Sequence, residues 1–174
     1  MKKLLLGFLV IGAAFIFNTP AAYSQFENGD KLLNLGIGLN SYYSGGIPLG
    51  ASFEVGITDE ISVGGSASFL SHTYFGNDKF TAIYIGGRGS YHVNKLLQLN
   101  NDKLDLYAGA GLGYRSFSWS NDYYGGSLGG SYGSGIYFGG FIGGRYYFAN
   151  NIGAFLELGA GGSSNANLGV TFKF

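Results

Sequence analysis

The sequence predicts an all-β chain: a closed eight-stranded antiparallel up-and-down transmembrane β-barrel that follows a cleaved signal peptide. Three observations carry this prediction. From residue 31 onward, apolar and polar residues alternate with a period of two, as they do on the two faces of a strand. Charged residues make up 11% of the 174 residues, less than half the ~25% of an ordinary soluble domain. Finally, the ionisable residues inside the alternating segments all share the Gly/Ser/Tyr face, and none lies on the Leu/Ile/Val/Phe face.

The composition excludes several classes. Gly is abundant at 33 but follows no three-residue period, and Pro is nearly absent at 2, so the chain is neither collagenous nor disordered. Lys and Arg total 10 against 10 Asp and Glu, which leaves no basic excess for nucleic acid. Cys is zero, which removes disulfides, thiolate metal sites and Cys nucleophiles together.

Residues 1–24 read as an export signal. Lys2 and Lys3 form a positive head, Leu4–Phe17 is an uninterrupted apolar run, and Ala22 and Ser24 place small residues before a cleavage point between Ser24 and Gln25. As a helix the fourteen-residue run spans only ~21 Å of a ~30 Å hydrocarbon core, which disfavours a retained anchor. Removing Lys2 and Lys3 from the 10 basic residues leaves 8 against 10 acidic, a net charge near −2. Residues 25–30 are then a short periplasmic N-terminal segment, and 31–174 the barrel domain. No later stretch reaches the ~18 apolar residues of a spanning helix, so insertion must be by strands.

Eight alternating segments follow in order. Leu33, Leu35, Ile37 and Leu39 oppose Asn34, Gly36 and Gly38. Leu49, Ala51, Phe53, Val55 and Ile57 oppose Ser52, Glu54 and Gly56. Ile61, Val63, Ala67 and Phe69 oppose Ser62, Ser66 and Ser68, and Ile83, Ile85, Tyr91 and Val93 oppose Tyr84, Arg88 and Ser90. In the second half, Leu104, Leu106, Leu112 and Tyr114 oppose Asp105, Tyr107 and Arg115. Phe138, Ile142, Tyr146 and Phe148 oppose Tyr137, Phe141 and Arg145. Ile152, Ala154, Leu156 and Leu158 oppose Phe155 and Glu157, and Leu168, Val170, Phe172 and Phe174 oppose Asn167, Thr171 and Lys173.

A soluble barrel would turn the apolar face inward and cover its outside with charge. Here the charges are too few for that, so the apolar face is assigned to lipid and the polar face to the lumen. An open sheet in lipid would strand unpaired backbone groups at its edges, which requires closure. Short connections at 58–60 and 149–151, with a longer link at 94–103, alternate with Gly-, Ser- and Tyr-rich stretches at 40–48, 72–79, 118–135 and 161–166. This places both termini and the short turns in the periplasm. Tyr42, Tyr43, Tyr74, Phe75, Trp119 and Tyr137 are expected to form an outer interfacial girdle, and Tyr91, Tyr146, Phe148, Phe172 and Phe174 an inner one.

The chain resembles the small eight-stranded outer-membrane β-barrel proteins of Gram-negative bacteria, of the outer-membrane protein A or X type. The resemblance covers 31–174. It rests on Arg88–Val93 (RGSYHV), Leu104–Tyr114 (LDLYAGAGLGY), Gly144–Glu157 (GRYYFANNIGAFLE) and the C-terminal Leu168–Phe174 (LGVTFKF). It implies an outer-membrane location, contact with outer-membrane lipid, and recognition by the barrel-assembly machinery through Val170, Phe172 and Phe174.

Seven luminal charges, Glu54, Arg88, Asp105, Arg115, Arg145, Glu157 and Lys173, are expected to form a polar network that avoids isolated burial. If the 149–151 turn pairs Phe148 with Ile152, Arg145 faces Phe155 and reaches Glu157 on the diagonal. Ser90 and His92 share a luminal face in a Ser-x-His spacing, but no acid is placed to orient the imidazole, and His72 lies at the opposite end. No catalytic residue, metal site or cofactor is therefore expected. The run 109–113 sits within a strand and is not a phosphate loop. The stretch 118–134 has the Tyr, Ser, Gly and Asn content of adaptable binding loops, which makes Trp119, Tyr123, Tyr124 and Tyr132 candidate contacts for an extracellular ligand that the sequence does not identify.

Three functions follow in order of preference. The first is a non-enzymatic structural or surface-interacting barrel with a largely side-chain-filled lumen. The second is a narrow porin-like channel for ions or very small solutes, and the third a lipid-modifying enzyme.

Overall fold

The computed structural model describes residues 26–43, 45–73, 79–119 and 133–174. The expected signal peptide 1–24, and Tyr74, Phe75, Tyr123, Tyr124 and Tyr132, lie outside the described residues. The strands are β1 (Lys31–Ser41), β2 (Leu49–Gly56), β3 (Ile61–Thr73), β4 (Lys79–His92), β5 (Leu104–Trp119), β6 (Gly135–Tyr147), β7 (Ile152–Ala160) and β8 (Ser164–Lys173). Each pairs antiparallel with its sequence neighbours. β8 returns to β1, with Leu33 opposite Phe172 and Leu35 opposite Val170, so the barrel is closed and has no edge.

The inside-out distribution of side chains is the one the alternation predicts. Leu35 is 45% exposed on the outer surface, Ile85 63%, Ile142 61% and Leu156 46%, while Glu54 and Arg145 are both fully buried inside at 0%. The greasy wall faces outward because β-strand neighbours must point to opposite faces, and the interior already holds the charges.

The 149–151 turn sets the expected register, placing Arg145 opposite Phe155 and Gly143 opposite Glu157. The last connection is tighter than expected. β8 begins at Ser164, so only Gly161, Gly162 and Ser163 separate β7 from β8, and Gly161 turns the chain at φ +93°. Strands β3 to β6 run 13 to 16 residues, longer than the ~9–11 a tilted strand needs to cross a bilayer. Their surplus lies at the end away from the short turns.

The luminal glycines make room for rings. A Cβ on Gly143 would sit 2.6 Å from Tyr107 Cζ, and one on Gly109 would overlap the Phe141 ring. Both rings lie flat against bare backbone, where any side chain would displace them.

Candidate functional site

The site is the lumen, and it has three levels. Its central level is an ionic layer built from seven of the eight strands. Arg145 on β6 is fully buried, with Nη1 2.8 Å from Asp105 Oδ2 on β5 and Nη2 3.2 Å from Glu54 Oε1 on β2. Its Nε donates to Asn34 Oδ1 on β1 at 3.3 Å, and its guanidinium carbon lies 3.9 Å from the centre of the Tyr107 ring. On β4, Arg88 grips Glu157 of β7 through Nη2 at 2.6 Å and Nη1 at 3.3 Å, and stacks 4.0 Å over Phe141. Arg88 Nε stands 3.2 Å from Glu54 Oε1, an ionic contact without the alignment of a hydrogen bond.

Hydroxyls complete the layer. Ser62 on β3 and Ser90 on β4 both donate to Glu54 Oε2, at 2.9 and 2.5 Å, and the Tyr107 hydroxyl donates to Glu157 Oε1 at 2.9 Å. His92 joins from below: Nδ1 is 2.7 Å from Asp105 Oδ1, and Nε2 is 3.0 Å from Ser62 Oγ. Charges taken this far from water need partners on every side, and each carboxylate here meets a cation and at least one hydrogen-bond donor.

Toward the end of the barrel with the long loops lies an aromatic plug. Tyr43, Leu70, Phe80, Ala82 and Tyr84 are buried together, with Phe117, Trp119 and Tyr137 packed against them. The Tyr43 and Tyr84 hydroxyls meet at 2.6 Å, and the Phe80 and Phe117 rings stack with centroids 5.4 Å apart. Between the plug and the ionic layer is a cavity of about 130 Å³. Arg88 and Glu157 line it on one side, Tyr84 and Tyr137 on another, and Ser66, Ser68 and Asn167 along the wall.

A closed up-and-down barrel with this division of faces has counterparts among solved structures. OprG, an outer membrane protein of Pseudomonas aeruginosa, matches 86% of this chain and 98% of its own at a TM-score of 0.62, with 12% identity. Ail, the attachment invasion locus protein of Yersinia pestis, covers 84% of this chain and 99% of its own at 0.53, also with 12% identity. Neisserial surface protein A covers 83% and 95% at 0.52, with 17% identity. The chain has the fold of a small outer-membrane β-barrel. At these identities the likeness concerns the fold alone. No protein-family model and no curated protein matches the sequence.

Five of the seven charges expected in the network, Glu54, Arg88, Asp105, Arg145 and Glu157, meet in the ionic layer. The other two do not join it. Arg115 lies near the aromatic plug and donates from Nε to the Gly133 carbonyl at 2.9 Å. Lys173 sits at the short-turn end, with Nζ 3.0 Å from Asp30 Oδ2. The expected Arg145–Glu157 contact is replaced: Arg145 turns to Asp105 and Glu54, leaving Glu157 to Arg88, which reaches across the lumen rather than along a strand pair.

The outer girdle is also corrected. Tyr42 is exposed, but Tyr43, Trp119 and Tyr137 point inward as parts of the plug. Their parity decides this, since Phe117 and Trp119 follow Arg115 on the luminal face of β5. Trp119 is therefore an interior ring packed against Phe80 and Phe117 rather than a free loop contact. Of the five residues expected in the inner girdle, Tyr91, Tyr146 and Phe148 are exposed to the outside, while Phe172 and Phe174 are half-buried. Among the described residues no group of three His, Cys, Asp or Glu is arranged to hold a metal ion.

The histidine reading changes most. An acid does orient His92, namely Asp105, and the serine at its other nitrogen is Ser62 on the neighbouring strand rather than Ser90. Sequence spacing along β4 could not reveal either partner, because both come from other strands.

Proposed function

We propose that this chain is an integral outer-membrane barrel, non-enzymatic, with an occluded lumen and a structural or surface-interacting role. The observation that carries this reading is the ionic layer, whose two guanidiniums and three carboxylates cross the full section of the barrel and link β2, β4, β5, β6 and β7. The outer membrane is favoured by the exposed aliphatic wall together with the fold's likeness to OprG and Ail. Val170 and Phe172, on the outer face of β8, and Phe174, just beyond its end, are the groups proposed to engage the assembly machinery. Long-loop residues would meet any extracellular partner.

The Asp105–His92–Ser62 string resembles a catalytic relay, yet its setting argues against catalysis. Ser62 is fully buried and directs its single hydroxyl proton to Glu54, so His92 is not receiving it. A nucleophile in that state has neither access nor an activating base.

Planar-bilayer recording tests the proposal. The wild type should give no stable conductance steps. Steps that change on neutralising Arg88 or Glu157 would overturn the occluded lumen in favour of the narrow channel, a reading to which the cavity above the layer lends its only support.

A further inference from the structure

The third level of the lumen lies beneath the ionic layer, where residues 26–30 double back under the barrel before β1 begins. Phe26 is 4% exposed, and its ring lies on the His92 imidazole with centroids 3.4 Å apart and planes 4° from parallel. A segment that merely led into the first strand would leave such a ring in water.

Instead the segment is fastened at three places. It is folded into a turn by Asp30 N–H donating to the Glu27 carbonyl at 3.2 Å and Glu27 N–H donating to Asp30 Oδ2 at 2.9 Å, with Gly29 at φ +89°. Gly29 N–H donates to the Gly56 carbonyl at 3.0 Å, and Gly56 N–H donates to the Asp30 carbonyl at 2.8 Å, which ties the turn to the end of β2. Asn28 N–H reaches Asp59 Oδ1 in the β2–β3 turn at 3.3 Å. Across the mouth, Lys173 of β8 holds Asp30 Oδ2 at 3.0 Å. The barrel also leaves the space: a Cβ on Gly56 would sit 2.6 Å from the Glu27 carbonyl oxygen and 2.9 Å from Phe26 Cζ.

We infer that residues 26–30 are an intrachain plug, with Phe26 as its stopper, that docks on His92 and seals the periplasmic mouth of the barrel. This deepens the occluded-lumen reading and takes its orientation from it. The plug closes the lumen a second time, in series with the ionic layer, and keeps periplasmic water from the His92–Asp105 pair. The docking site it fills is specific: a flat imidazole for an aromatic face, a bare glycine beside it, and a cation for the Asp30 carboxylate.

The sequence makes the test direct, because it holds a single Trp and no Cys. In a Trp119→Phe background, Phe26→Trp puts the sole indole on the stopper. The plug predicts blue-shifted emission and weak acrylamide quenching in the folded, heat-modifiable barrel, and adding Gly56→Val should restore quenching to the level seen in urea. An indole quenched equally in folded and unfolded protein would overturn the proposal. Should the larger ring prevent folding, Phe26→Cys serves instead. Its labelling by a maleimide should be slower in the folded barrel by at least about tenfold, since reaction waits on local opening, and equal rates would overturn the plug. The two readings fail separately. A non-conducting wild type whose Phe26→Trp variant carries a freely quenched indole removes the plug alone, whereas a conducting wild type removes the seal whatever the quenching shows.

Discussion

Arg145 stands directly across the β5–β6 ladder from Asp105, and its Nη1 approaches Asp105 Oδ2 to 2.8 Å, with both side chains buried. The same guanidinium also answers Glu54, so one side chain holds two buried carboxylates.

Removing it should therefore cost more than a single surface pair. Arg145→Met leaves Asp105 and Glu54 facing each other with one cation fewer, and the loss of one partner of a buried pair costs about 3–5 kcal/mol. Urea unfolding in lipid vesicles, followed by the heat-modifiable gel shift, measures this. Arg145→Met combined with Asp105→Asn should recover part of the loss, because the stranded charge is then gone.

Glycine substitutions separate packed from open stretches of the lumen. Gly143→Ala drives a methyl into the Tyr107 ring, whose hydroxyl donates to Glu157, and overpacking of this kind costs about 1–3 kcal/mol. Gly50 has no atom closer than 3.9 Å to an added Cβ. Gly50→Ala should stay within about 0.5 kcal/mol of wild type, as substitutions into free space do. The same unfolding assay distinguishes the two.

On the outer wall, Ile85 lies near the middle of β4 and is 63% exposed. Ile85→Arg should cost about 2–4 kcal/mol in a bilayer, the penalty for a cation at the midplane. The same change should cost far less in a detergent that lets the side chain reach water.

Asp59 lies outside the strands, in the β2–β3 turn. The Lys95 ammonium that hydrogen-bonds it, and then the Asn28 backbone N–H, hold its carboxyl below the usual value of 3.8. A depressed carboxyl stabilises the fold at all pH values above the unfolded value and stops doing so as pH falls through the folded one. Wild type and Asp59→Asn should therefore differ by a constant, small amount from neutral pH down to about 4, and converge only in stronger acid. Unfolding midpoints across that range check the sign.

The faces of the strands were legible in the sequence because period two runs through every segment, from Leu35 and Asn34 onward, and charge placement gives the same answer wherever a segment holds a charge, as at Leu156 and Glu157. Register was legible only across short turns. The three residues 149–151 fix Arg145 opposite Phe155, whereas the stretch 118–135 is too long to count through, so the Arg145–Asp105 pairing across β5–β6 was hidden. Contacts across the lumen, such as Arg88–Glu157 and Ser62–His92, depend on barrel closure and follow from no pair of neighbours. Trp119 was misread by position along the chain, although its parity with Arg115 already placed it inside. Phe26 had no signal at all, since a lone aromatic before the first strand belongs to no periodic pattern.

The central claim is that the aliphatic row meets lipid and the ionised row meets the lumen. Nitroxide labels introduced one at a time at Leu35, Ile85 and Leu156, and at the luminal Ser68 and Asn167, test it in reconstituted vesicles. The account predicts high collision rates with dissolved oxygen and quenching by lipid-borne relaxers at the first three positions, and neither at the last two. The reverse pattern, with positions 35, 85 and 156 shielded and Ser68 and Asn167 open to lipid, would contradict it.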